Sequence, residues 1–179
     1  MQISLFTNGK TNTKSVMRAS VSLAVAAMLL TAALTVPAAA QKQVPFKGSL
    51  QGHETDTPEG GPPPTTLNVD GNTTGIATQV GQFSFSYQLT VTLADGTATG
   101  SAQLIAANGD SVFTTVAGSS EQTSTPGVVS ITEVDTITGG TGRFAGAQGS
   151  FTVERLVNLA TGLTSGSFHG TITSSGAAH

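Results

Sequence analysis

The chain has 179 residues, a formal net charge of −3, only 9% charged residues, no cysteine and no tryptophan. Beyond residue 40 its cations are Lys42, Lys47, Arg143 and Arg155, set against ten acidic side chains, a balance of about −6. That balance excludes nucleic acid and anionic membrane surfaces as partners, since both need a basic patch, and the absent cysteine excludes disulfide staples and a lipidated-cysteine anchor.

The first forty residues stand apart from the rest. Lys10, Lys14 and Arg18 precede an apolar run over residues 21–36, and Pro37-Ala38-Ala39-Ala40 supplies small residues at a cleavage position. This pattern reads as a secretory signal peptide cut after Ala40. The run falls short of the roughly 20 residues a spanning helix needs, so no stable membrane insertion is expected after cleavage. The expected location is therefore secreted or periplasmic. The expected domains are a signal peptide over 1–40, one folded domain over 41–173 and a frayed tail over 174–179.

Period-2 alternation dominates the folded part, as in strands with one buried face. Over residues 41–54, Phe46, Gly48, Leu50 and Gly52 share a face opposite Lys47, Ser49, Gln51 and His53. Residues 55–64 (TDTPEGGPPP) read as an exposed loop, because consecutive prolines cannot donate to a sheet ladder. A second strand is expected over 65–78, broken or bulged at Asp70-Gly71, with a turn at Val80-Gly81. The clearest strand covers 82–94, where Phe83, Phe85, Tyr87, Leu89, Val91 and Leu93 alternate with polar residues. Asp95-Gly96 and Asn108-Gly109 predict two-residue type I′ hairpin turns around strands at 97–107 and 110–120. After a polar loop at 121–127, a sixth strand is expected over 128–138, a seventh over 150–160 and an eighth over 166–173. A glycine-rich connection, with a short helical turn near 142–146, joins the sixth to the seventh. Eight strands with mostly short turns predict an all-β, eight-stranded antiparallel up-and-down barrel, wide enough to be filled by side chains or to hold one small ligand. A two-sheet sandwich is the alternative.

The connection Thr138-Gly139-Gly140-Thr141-Gly142-Arg143-Phe144-Ala145-Gly146-Ala147-Gln148-Gly149-Ser150 resembles a segment of the allene oxide cyclase and dirigent superfamily. It is still more similar to small exported bacterial proteins of that barrel type, which also carry turns like Ala107-Asn108-Gly109-Asp110 and segments like Gly75-Ile76-Ala77-Thr78-Gln79-Val80-Gly81. The resemblance spans nearly all of residues 41–179. It implies the barrel, with Phe144 plugging one end, and a hydrophobic cavity with a few polar groups. Characterised plant members cyclise an oxylipin epoxide or steer the coupling of phenoxy radicals. Their catalytic residues do not match positions here one by one, so the resemblance carries fold and cavity but no activity. It also implies association into homo-oligomers through outer sheet faces.

Polar residues interrupt two apolar faces. Val129, Ile131, Glu133, Asp135 and Ile137 share one, and Phe151, Val153, Arg155, Val157 and Leu159 share the other. With Ile137 near Phe151, Glu133 falls opposite Arg155. A buried arginine needs a carboxylate, which predicts that Arg155 pairs with Glu133 or Asp135 inside the barrel. Such a pair either orients a ligand or polarises an epoxide, or it is a structural salt bridge, or the apolar-looking faces are partly solvated. Tyr87 could place a hydroxyl in the lumen, and Glu54 stands at the end of the Phe46/Leu50 face as a further acid or base. His53 and His169 are expected to point outward, and the spacing of the histidines gives no metal-ligand pattern. No cofactor is expected. The lumen candidates for ligand contact are Phe83, Phe85, Tyr87, Glu133, Asp135 and Arg155. The functional expectation is an exported barrel that binds a small hydrophobic ligand without catalysis. The alternatives are an isomerase or cyclase acting on a lipid-derived or phenolic substrate, and a structural surface protein with a fully packed barrel.

Overall fold

The structure is a computed structural model and describes residues 42–173. The expected signal peptide and the C-terminal tail lie outside the described residues. Eight strands run in chain order: β1 Val44–Glu59, β2 Thr66–Ala77, β3 Gly81–Thr92, β4 Thr97–Ala106, β5 Ser111–Gln122, β6 Val128–Gly140, β7 Gly149–Asn158 and β8 Leu163–Ile172. Each pairs antiparallel with its sequence neighbours, and β8 closes back onto β1, giving an up-and-down barrel rather than a sandwich. Closure leaves no free edge along the barrel wall. Among the described residues no helix is long and apolar enough to cross a membrane.

The two ends of the barrel differ because different connections meet there. At one end a single 3₁₀ turn, Gly142–Phe144, folds inward and buries Phe144. Phe46, Phe151 and Phe168 pack below it with ring centroids 5.0–5.2 Å apart, and Phe83 lies 5.9 Å from Phe168. Arg143 holds the turn in place from outside: its guanidinium stacks 4.8 Å over the Phe144 ring and faces Asp110 at 3.7 Å. At the other end four hairpins (β1–β2, β3–β4, β5–β6 and β7–β8) surround an opening.

Several local expectations are corrected. Residues 55–59 are not loop: β1 continues to Glu59 and pairs with β2 as far as Thr66, whereas its pairing with β8 stops at His53. This projecting part has only one neighbour, so Pro58 costs no ladder bond on its free side. β2 runs unbroken through Asp70-Gly71. The Asp95-Gly96 and Asn108-Gly109 hairpins are four-residue loops, over 93–96 and 107–110. Only the glycines have positive φ, +71° and +88°, whereas a type I′ turn would require it of Asp95 and Asn108 as well. Gly139 and Gly140 belong to β6, where they pair with Phe113 and Val112 after a bulge that leaves Thr138 unpaired. β8 begins at Leu163, three residues earlier than the alternation suggests.

Candidate ligand site at the open end of the barrel

The β6–β7 register places Ile131, not Glu133, directly opposite Arg155, with Glu133 opposite Val153. The expected alignment was therefore off by two residues. An arginine side chain still spans that diagonal, and two bonds join the pair: Arg155 Nε donates to Glu133 Oε2 at 3.1 Å, and Nη2 to Oε1 at 2.9 Å. On its other side Arg155 Nη1 donates to Glu54 Oε2 at 2.5 Å and to Thr164 Oγ1 at 3.2 Å. Tyr87 donates its hydroxyl to the same Glu54 oxygen at 2.7 Å, and its ring lies 4.8 Å from the guanidinium carbon. Arg155, Glu133, Glu54 and Tyr87 are each no more than 6% exposed. A buried cation between two carboxylates, with most of its N–H groups bonded, is the arrangement that offsets charge desolvation.

Close backbone approach makes room for this cluster. Glu54 and Tyr87 both stand across from Gly71, Glu133 from Gly118 and Arg155 from Gly166. A Cβ at Gly71 would run into the Tyr87 ring, one at Gly118 would come within 2.7 Å of Glu133 Cγ, and one at Gly166 within 2.6 Å of Arg155 Cβ. Glycine opposite each large polar residue is the sequence signal that alternation of faces does not reveal.

Burial works against the Arg155 charge. The hydrogen bonds and charge of Glu133, with Tyr87 and Glu54, more than offset it and hold the guanidinium above its ordinary range. Burial also raises the Tyr87 phenol, and the Glu54 carboxylate adds to this against the pull of Arg155, so the tyrosine stays a donor. Asp135 lies deeper, 1% exposed, with Oδ1 accepting from Thr114 at 2.7 Å and Oδ2 buried without a partner. Burial, with the nearby Glu133 charge, pushes its carboxyl up to about 7 against the Thr114 bond and Arg155.

Glu54, Glu133 and Arg155 line the bottom of a pocket of about 330 Å³ at the open end. Its walls include Leu67, Val69, Leu89, Val91 and Val129, with Asp56 and Asp95 at the rim. Of the six lumen candidates, Glu133 and Arg155 reach this pocket. Tyr87 supports it through Glu54. Asp135 is sealed below, Phe85 packs against Tyr87 at 5.8 Å, and Phe83 belongs to the aromatic core near the closed end. Glu54, outside those six, completes the pocket floor; the exposed stretch that follows it in β1 carries no alternation that would mark it as interior. His53 and His169 are exposed on the outer wall. Larger grooves also occur on the outside, for example one of about 630 Å³ beside Ile76 and Ile105. They lack the buried charged groups that would fix a ligand's orientation.

The fold is a closed eight-stranded antiparallel barrel with a polar cluster inside and one open end. Among solved structures, the pterocarpan synthase dirigent protein PsPTS1 matches with a TM-score of 0.51 at 12% identity, covering 74% of this chain and 96% of that one. The pterocarpan synthase dirigent protein GePTS1 matches with a TM-score of 0.49 at 12% identity, covering 74% of this chain and 89% of that one. No family model matches the sequence, and no curated protein matches it. At this identity the likeness is one of fold.

Proposed function

We propose that this protein is an exported binding barrel of the bacterial type that its glycine-rich segment resembles, and that it takes up a small, largely apolar molecule at its open end without transforming it. The observation that carries the reading is the apolar-walled pocket of about 330 Å³ floored by the Arg155–Glu54–Glu133 cluster. Pockets of that size class with a few fixed polar groups suit small ligands, and a barrel packed along its whole length would not offer one. The dirigent neighbours make phenolic compounds a sensible class to test. Binding is favoured over turnover because the charged groups on the pocket floor, Glu54, Glu133 and Arg155, are bonded to one another.

Native mass spectrometry of the protein purified from its own source cells, envelope and medium alike, tests the reading. A reproducible bound mass of a few hundred daltons supports it. An apo mass throughout, with no uptake from a panel of phenolics and lipids, would shift the assignment to a structural role.

A further inference from the structure

We propose that the open-end pocket selects ligands whose polar head is a hydrogen-bond donor with positive charge, a protonated amine on a flat apolar body, and rejects apolar carboxylates. This deepens the binding reading above and rests on it.

The lining contains four carboxylates, Glu54, Asp56, Asp95 and Glu133, against one guanidinium. That guanidinium is already committed. Arg155 makes four hydrogen bonds within the cluster, and two carboxylates flank its charge. An arginine has five N–H groups, so one at most is left for a ligand. Tyr87 gives its only proton to Glu54. The pocket floor therefore has almost no donors to offer an anionic head.

It does offer an acceptor. Glu54 takes both the Tyr87 and the Arg155 bonds on Oε2, which leaves Oε1 without a partner among the described residues. This side chain is 6% exposed and lines the pocket. Among the described residues Asp135 Oδ2 is the buried side-chain oxygen without a partner, so Glu54 Oε1 keeps access to the pocket and is free to accept from a ligand's donor. The rim adds to the field: Asp56 and Asp95 guard the entrance, and desolvation at the mouth together with the neighbouring Glu54 charge holds the exposed Asp56 carboxyl above its ordinary range despite Arg155. Negative potential at a low-dielectric opening draws cations in and repels anions. The apolar walls leave the body of the ligand to hydrophobic burial.

Naphthylmethylamine, naphthylmethanol and naphthoate share a ring body and differ only in the head. Titration calorimetry of all three against the full-length-expressed protein, at about neutral pH and low salt, separates the terms. The amine is expected to bind at least about tenfold more tightly than the acid, with the alcohol between them. Glu54→Gln should bring the amine towards the alcohol. The wild-type comparison stands whether or not that variant folds, and an Asp56→Asn, Asp95→Asn double variant tests the rim separately. The acid binding as well as or better than the amine overturns this inference and leaves the pocket reading intact. No binding by any of the three overturns both.

Discussion

At the residue scale, Arg155 is the side chain on which the interior depends. Arg155→Met leaves Glu54 and Glu133 buried without their cation, a change of the kind that costs roughly 3–5 kcal/mol. Urea denaturation at neutral pH should show that loss. An unchanged midpoint would mean that the pair is solvated. Asp135 acts in the other direction. Its folded carboxyl is raised from 3.8 to about 7, so the folded state holds a proton that the unfolded chain has already released. Its contribution is fully present below 3.8 and is lost as pH rises through about 7, so wild-type stability should fall across that window. Asp135→Asn should flatten the fall, with a gain on the order of a few kcal/mol at most on the alkaline side. A wild-type profile with no such slope would place Asp135 in a more polar setting than its sealed position suggests. The need for a partner at Arg155 was legible in the sequence, because an arginine among Phe151, Val153 and Val157 cannot remain alone. The identity of its second partner was not. Asp56, Thr57, Pro58 and Glu59 are exposed on both sides of the ribbon, so no alternation marks them as strand and Glu54 looked terminal.

At the element scale, the strands are set by contrast between faces, and register by features that carry little contrast. β3 shows Phe83, Phe85, Tyr87 and Leu89 buried between exposed neighbours, and its pattern was plain from sequence. The β6–β7 register was not, because alternation does not say where β7 re-enters the sheet after the glycine-rich connection: Ile137 pairs with Gly149 rather than with Phe151. The glycines across from the polar cluster make a sharp prediction. Gly71→Ala puts a methyl into the Tyr87 ring, and overpacking of this kind costs about 1–3 kcal/mol. Thermal unfolding should show that loss, whereas wild-type stability would mean that the ring can move aside. The closed end is held by packing. Phe144, 1% exposed under its 3₁₀ turn, should cost about 3–5 kcal/mol on truncation to alanine. A loss well below that range would argue that the plug contributes little.

At the scale of the whole molecule, one chemical asymmetry organises the barrel. Aromatic side chains fill the half beneath the 3₁₀ turn, and the buried ions sit between that core and the opening. With no cysteine the chain lacks disulfides, so stability rests on the core and on closure of β8 against β1. Closure was legible as a count of eight strands. The asymmetry was not, because it arises from which hairpins project and which turn folds inward. The outer wall is less polar than composition suggests, since Ile76, Val134, Leu156 and Leu163 are 47–63% exposed there. A small apolar probe thus has two places to go, the lumen and the outer face. Methyl-resolved NMR titration with naphthylmethanol distinguishes them. Saturable shifts are expected at Leu67, Val69, Leu89, Val91 and Val129, lost when Leu89→Trp fills the opening. Saturable shifts at Ile76, Ile105 and Leu163 with the lumen methyls unmoved, or no saturable shifts at all, would contradict binding in the lumen.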